Sequence, residues 1–303
     1  MNGFEQALAT GVEGGTIILF PALGELIGER AGIVNLGTEG CMLVGALAAY
    51  AVGASTGSAW LGVGAGFLAA ALVGLLHAVL VVKQRADQLA SGLVVWFLAI
   101  GLTSVLGTSF VSKTVTPLPI LKVPLLGSLP WIGNILFNHD ALVYVSFGLV
   151  ALVWWALYRT RIGLVLRATG ERPEVVAVAG RRPELVQIAA VTLGAALAGI
   201  GGAQLSVGYV DSWFDDMTNG YGFIAVAVVL FAAWRPWLVV VGAYAFGVAL
   251  AAASVLQAHG VAVNQYLLDT LPYLVTLVAL VVFARGGRSR APEGLARALA
   301  NSS

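Results

Sequence analysis

Nine apolar stretches, each close to the length of a membrane-crossing helix, constrain this chain more than any other feature. They lie near 8–27, 37–54, 60–82, 88–109, 140–158, 184–207, 217–234, 237–257 and 265–284. About 20 apolar residues in a helix cross the hydrocarbon core of a bilayer. Soluble domains carry roughly 25% charged residues, whereas only 10% of these 303 residues are charged and 59% are hydrophobic. One soluble core cannot hide so much apolar surface, but lipid can cover it. The 38 glycines suit helices that pack closely in a membrane. The expected fold is an all-α integral membrane protein, a polytopic helix bundle with broken helices and about nine spanning segments. No cleavable leader is expected, because acidic Glu5 precedes the first apolar stretch where a leader needs positive charge. The chain reads as one membrane unit over 1–303.

Two interruptions stand out. Gly28-Glu29-Arg30-Ala31-Gly32 separates the first two stretches as a polar, broken turn. Such a break survives in a membrane only if its backbone is buried in protein or lines a polar cavity. The connection 111–139 holds Pro117, Pro119, Pro124 and Pro130, which argue against a continuous spanning helix. It reads as an outer cap with a short helix near Pro130-Trp131-Ile132, or as a helix lying in the interface.

Positive charge orients the bundle. Lys83 and Arg85, then Arg159 to Arg182, then Arg235, then Arg285, Arg288, Arg290 and Arg297 all fall on one side if the nine stretches alternate. That side is expected to be the cytoplasm, with the N-terminus outside and a basic cytoplasmic tail over 285–303. Asp140, Asp211, Asp215 and Asp216 fall on the other side, together with Lys113 and Lys122.

The longest charged interruption, 159–183, carries the mechanistic information. Pro173 suits a first helical position and Glu174 the first turn, where a carboxylate complements the helix dipole. Val175, Val176 and Val178, with Ala177 and Ala179, give the helix an apolar surface, and Gly180 ends it. A short helix of this kind can seat in a groove on a partner and pass a rigid-body motion into the bundle. A plain positive-inside anchor loop would also account for the arginines.

Several chemistries are missing. No Gly-x-x-x-x-Gly-Lys-Ser/Thr phosphate cradle occurs, no Gly-x-Ser-x-Gly elbow and no His-Glu-x-x-His pair. Gly199, Gly201 and Gly202 lie in an apolar helix, where packing explains them better than a dinucleotide does. Cys41 is the sole cysteine, so no internal disulfide can form, and His77, His139 and His259 show no ligand spacing. No metal site and no cofactor are expected in the chain. A net charge of +1 implies no attraction to nucleic acid. Uphill transport would need energy from another subunit or from an ion gradient.

Three motifs then bring a resemblance. Gly28-Glu29-Arg30-Ala31-Gly32-Ile33-Val34-Asn35-Leu36-Gly37-Thr38-Glu39-Gly40 is the first. Arg167-Ala168-Thr169-Gly170-Glu171-Arg172-Pro173, continuing to Ala179-Gly180, is the second. The third runs through Gly199-Ile200-Gly201-Gly202-Ala203-Gln204-Leu205 and then Met217-Thr218-Asn219-Gly220-Tyr221-Gly222-Phe223-Ile224-Ala225. Over nearly its whole length the chain resembles permeases of the simple-sugar and nucleoside branch of bacterial ABC importers. The basic-membrane-protein-associated nucleoside permeases look closer than the ribose permease. The Arg181-Arg182-Pro183-Glu184 run after Gly180 departs from the family pattern.

The resemblance implies a non-catalytic permease subunit in the bacterial cytoplasmic (inner) membrane. Its implied partners are a second permease subunit, identical or paralogous, a cytoplasmic ABC ATPase that binds ATP and Mg, and an extracytoplasmic substrate-binding protein. Arg167, Gly170, Glu171, Pro173, Glu174, Ala179 and Gly180 are the implied ATPase-coupling residues. The cargo is a nucleoside or related small polar solute, with a simple sugar or riboflavin as the alternative. Glu39 and Asn35 sit by the break, Trp96 in the fourth stretch, and Asn219, Tyr221 and Phe223 at the seventh; these are the candidate cargo-path residues. Aromatic faces can stack on a flat base while amides read its polar edges. A structural role stands beside the cargo role for each, hydrogen bonding for Glu39 and closing the turn for Asn35. An ion-coupled secondary transporter, which also uses broken helices, and a non-transporting membrane scaffold remain competing accounts.

Overall fold

The computed structural model describes residues 3–111, 113–124, 127, 132–258, 274 and 291–296. The ninth stretch at 265–284 apart from residue 274, most of the tail, Pro130, Trp131 and His259 lie outside the described residues. The chain is a helix bundle. Helices α1 (Gly3–Arg30), α2 (Thr38–Thr56), α3 (Ala59–Val82), α4 (Gln88–Gly107), α5 (Ile132–Leu136), α6 (Ala141–Arg159), α7 (Arg161–Glu171), α8 (Pro173–Val178), α9 (Pro183–Ala203), α10 (Tyr221–Phe231) and α11 (Pro236–Ala258) follow in order. Two three-residue strands, β1 (Ile120–Lys122) and β2 (Asn138–Asp140), pair antiparallel with Leu121 opposite His139. Ile132–Leu136 is the short helix of the cap.

Among the described residues, six helices are long and apolar enough to cross a membrane. They are the first six stretches of the sequence. The seventh corresponds to the shorter apolar helix Tyr221–Phe231, and the eighth to α11, apolar over Pro236–Ala252.

Helices α1, α2 and α9 form the centre. α1 packs on α9, α10 and α11, and α2 on α3, α4 and α9. Small residues permit this: a Cβ on Gly194 of α9 would meet the Gly24 carbonyl of α1 at 2.5 Å. Backbones so close gain dispersion contacts that no hydrophobic effect supplies inside lipid. Outer helices α3 and α4 instead present Leu72 and Val105, 69% and 73% exposed, as lipid would require.

The break after α1 differs from expectation. Gly28, Glu29 and Arg30 are still helical, and the interruption covers 31–37. Gly32, at φ +91°, ends α1: its N–H bonds the Glu29 carbonyl at 3.0 Å and the Ile33 N–H bonds the Gly28 carbonyl at 3.1 Å. This is the double bond of a left-handed helix stop. Polar Glu29 and Arg30 point to an earlier end, but distant groups bond them in part inside the bundle, leaving Glu29 Oε1 and Arg30 Nε without partners among the described residues. The Trp234 indole donates to Glu29 Oε2 at 2.5 Å, and Arg30 donates to the Trp234 carbonyl at 2.8 Å.

The seventh stretch is also shorter than expected. α10 has 11 residues, about 16 Å of helix, roughly half of a 30 Å hydrocarbon core. Its C-terminal end lies beside Glu29 and Arg30, so its N-terminus falls near mid-bundle. Residues 210–220 lead to that point without regular helix.

Candidate functional site

Most backbone groups of the break after α1 find side-chain or backbone partners. Gln187 donates to the Ala31 carbonyl at 3.2 Å, and Gln88 donates to the Gly32 carbonyl at 3.4 Å. The Val34 N–H donates to Gln88 at 3.0 Å, and the Asn35 N–H donates to Glu25 at 3.3 Å. His77 Nε2 lies 3.3 Å from the Val34 carbonyl, and Nδ1 lies 3.1 Å from Ser91 Oγ. A carbonyl only accepts, so Nε2 carries the proton and Nδ1 accepts from Ser91. The Thr38 hydroxyl donates to Glu25. Irregular backbone at membrane depth is thus enclosed by protein side chains, as lipid demands. Sequence reasoning missed Gln88, Gln187 and His77, whose only signal was polarity within apolar runs.

Glu39, on the first turn of α2, reaches across to the loop before α10. Its Oε1 accepts from Thr218 Oγ at 2.6 Å and from the Gly220 N–H at 2.8 Å; its Oε2 accepts from the Gly222 N–H at 2.6 Å. Gly220 caps α10 with φ +89°. Glu39 therefore supplies, from another helix, the acceptor that an N-terminal cap residue would give, and complements the dipole there. Gly222 allows the approach, since a Cβ on it would meet the Glu39 backbone at 2.5 Å.

Around this carboxyl group the structure gathers the other candidates. Trp96 of α4 meets Phe223 of α10 edge-on, with ring centroids 5.0 Å apart, and Gly40 packs on the Trp96 backbone. The Trp96 indole N–H has no partner among the described residues. Asn35 is buried, 3% exposed; its amide faces the Cys41 thiol and makes no hydrogen bond of good geometry among the described residues. It therefore does not close the turn with its side chain. Asn219 is exposed at φ +39°, and Tyr221 is half-buried. The arrangement sets an aromatic pair and buried, unpaired polar atoms beside a helix that starts in mid-bundle.

The coupling candidates form a second group at the arginine-rich end. Where one helix was expected there are two. Thr160 caps α7, accepting from the Gly163 N–H at 3.0 Å. That cap, with Ile162, Val165 and Leu166 on helical spacing, was the missed signal. Pro173 and Glu174 open α8 as expected. Gly180, at φ +75°, stops it with the same double bond seen at Gly32, from Gly180 to Ala177 and from Arg181 to Val176. Val176 is buried beneath α8, while Val175 and Val178 are 56% and 92% exposed.

α7 links this tip to the break after α1. A Cβ on Gly170 would meet the Gly32 N–H at 3.0 Å, with the Arg30 carbonyl nearer still. Arg167 stacks its guanidinium over Tyr158 at 5.0 Å, and Tyr158 in turn accepts from Arg30 at 3.2 Å. Residues 291–296 of the tail close over the same place. The Glu293 N–H donates to Glu171 at 3.1 Å, Arg172 donates to the Glu293 side chain at 3.2 Å, and Leu295 is fully buried.

The opposite end carries a polar cluster that sequence spacing did not reveal. His139 lies 3.0 Å from Glu13 of α1 and 2.8 Å from the Ile135 carbonyl. Burial alone would lower the imidazole below its ordinary 6.5, but both neighbours accept, and with the Glu13 and Asp140 charges they raise it above 6.5. Asp140 caps α6 and accepts from Gln204 at 2.6 Å; burial pushes its carboxyl above the usual range against those donors. Among the described residues no group of three or more His, Cys, Asp or Glu could hold a metal ion.

A multi-pass helix bundle with a half-length helix beginning in its interior is the architecture of a membrane transporter. Residues 8–283 match the family described as branched-chain amino acid transport system/permease component, and the chain belongs to it. The chain is 37% identical to the putative glucose ABC transporter permease protein TsgC13 of Haloferax volcanii, over 89% of this chain and 88% of the relative. It is 32% identical to the guanosine ABC transporter permease protein NupQ of Bacillus subtilis, over 91% and 90%. It is 31% identical to the nucleoside ABC transporter permease protein NupC of Lactococcus lactis, over 92% and 91%. No solved structure matches. The protein is a non-catalytic permease subunit of an ABC importer and forms its membrane path.

Proposed function

We propose that the cargo is a nucleoside, held in mid-bundle where α2, α4 and α10 meet. The observation that carries this is the Trp96–Phe223 aromatic pair with its unpartnered Trp96 N–H, on the same level of the bundle as the weakly engaged Asn35 amide just before α2. A planar base stacks on aromatic faces, and its ring nitrogens and exocyclic groups match an amide that can both donate and accept. The nucleoside and guanosine transport named for two relatives supports the same class. The name of the Haloferax relative supports glucose as a second reading, since a sugar ring also stacks on an aromatic face.

In this proposal the whole chain is one membrane domain, with its N-terminus outside and about nine crossings. Residues 210–220 and α10 together make the seventh. Exposed Asp211, Asp215 and Asp216 then face an outer vestibule where a substrate-binding protein delivers cargo. Residues 159–183 form the coupling element. The α8 tip seats in a cytoplasmic ABC ATPase, and a second permease subunit completes the path. ATP-driven closure of the ATPases displaces α8. Gly170 passes the motion to the Arg30–Gly32 turn, whose far end carries Asn35 and Glu39. The branch is that of the basic-membrane-protein-associated nucleoside permeases.

The test is uptake by vesicles holding the complete complex, with guanosine, uridine, glucose, ribose and riboflavin as labelled cargos. Saturable nucleoside uptake, competed by other nucleosides and lowered at least tenfold by Trp96→Ala, is expected. Glucose or ribose uptake that nucleosides do not compete would overturn the nucleoside assignment.

A further inference from the structure

Two cavities adjoin at the arginine-rich end, away from Trp96 and Phe223; the second reaches α8 at Ala177. One, of about 410 Å³, runs between α7 and α9 with Ile27 of α1 at its back. Its apolar wall is made by Val165, Leu166, Leu185, Ala189 and Leu193, and its charged edge by Arg161 and Arg181. The other, of about 460 Å³, shares Arg181 and Leu185 and adds Lys83, Ala177 of α8, Arg182, Pro183 and Glu184. Together they make one groove with an apolar floor and a cationic mouth.

Charge and depth both restrict the occupant. Lys83 is bound to Glu184 at 2.6 Å. Arg161, Arg181 and Arg182 have no ion pair among the described residues and are exposed. The mouth therefore carries uncompensated positive charge. From Leu185 to Leu193 the floor descends along a membrane-crossing helix for about 12 Å, into the acyl region beneath the headgroups. A protein partner docking from the aqueous side would meet the exposed α8 tip before reaching such depth. A free anion would leave the apolar wall uncovered. A molecule with an anionic head and a long apolar tail covers both parts.

We propose that this groove binds one anionic phospholipid from the leaflet on the arginine-rich side, its phosphate between Arg161 and Arg181 and an acyl chain along α7 and α9. Juxtamembrane arginines and lysines attract anionic lipid headgroups, each by about 1 kcal/mol. The occupant wedges between α7, which leads into the coupling helix, and α9. Lipid composition then sets how firmly the coupling segment is tied to the bundle.

The experiment is native mass spectrometry of the purified full chain, exchanged into micelles containing either phosphatidylglycerol or phosphatidylcholine. One phosphatidylglycerol retained per chain, in preference to phosphatidylcholine, is expected. The exposed double variant Arg161→Gln/Arg181→Gln is expected to weaken retention about thirtyfold, from two lost headgroup contacts, with an unchanged melting temperature in phosphatidylcholine. Ala189→Phe fills the floor and is expected to abolish retention of either lipid. Equal retention of the two lipids, or retention unaffected by the double variant, overturns the proposal. Displacement by millimolar inorganic phosphate alone would show a free-anion site, and displacement by added ATPase subunit a protein-docking surface; either also overturns it. No transport is measured, so the result stands apart from the identity of the cargo.

Discussion

Glu39 offers the sharpest perturbation, because its three hydrogen bonds tie α2 to the start of α10. Glu39→Ala leaves the Thr218 hydroxyl and the Gly220 and Gly222 N–H groups without that acceptor. An orphaned buried donor costs about 1–3 kcal/mol, so the variant is expected to lose at least about 3 kcal/mol. Glu39→Gln keeps one oxygen. Its amide is best placed with oxygen toward Thr218 and Gly220, which sets its NH₂ against the Gly222 N–H. One donor is then unsatisfied, for a loss of about 1–3 kcal/mol. Thr218→Val removes one donor and leaves the carboxyl group two others, for about 1 kcal/mol. The order Ala worse than Gln worse than Val is read by thermal unfolding in lipid nanodiscs, followed through tryptophan fluorescence. Uptake is expected to fall in the same order. If Glu39→Gln melted with the wild type while its uptake KM rose, the carboxyl group would be a cargo contact and not the cap of α10.

Other perturbations separate the remaining contacts. Val178→Asp, at a side chain 92% exposed, is expected to leave the stability within about 0.5 kcal/mol of wild type while lowering ATPase co-purification at least tenfold. Gly170→Val drives a side chain into the Arg30–Gly32 turn; a folded permease whose cargo no longer stimulates ATP hydrolysis is expected, and undiminished stimulation would discount the linkage. Trp234→Phe removes the donor to Glu29 and is expected to cost about 1–3 kcal/mol in thermal unfolding. His139 has a raised folded-state value, so its stabilising effect is full below the ordinary 6.5 and fades as pH climbs through that higher value. Melting temperature is therefore expected to fall over that range in the wild type and to fall less in His139→Gln.

Local punctuation was legible in the sequence, and distant pairing was not. Pro173, Glu174 and Gly180 marked α8 because a helix start and stop are written in adjacent residues. α7 was overlooked because its arginines masked the Thr160 cap and the apolar spacing behind it. The end of α1 was set too early because Glu29 and Arg30 look like loop residues. Their partners, Trp234 and Tyr158, lie more than a hundred positions away. The same distance hid the role of Glu39: nothing near it in sequence tells that its acceptors are used by Thr218, Gly220 and Gly222. Hydropathy assigned 217–234 a full crossing because the strongly apolar run from Tyr221 outweighs the polar Thr218-Asn219 before it, yet the left-handed Gly220 starts the helix only at Tyr221. The Trp96–Phe223 contact joins two residues singled out separately for their aromatic rings, and only the fold places them edge to face.

The most direct measurement loads ATP and Mg into vesicles containing this permease, its ATPases and its partner permease, adds the receptor and labelled guanosine outside, and follows accumulation with and without an ionophore. Coupling through α8 requires accumulation that depends on ATP, survives the ionophore and disappears with Val178→Asp. Uptake by the permease without its ATPases that collapses with the ion gradient would contradict it.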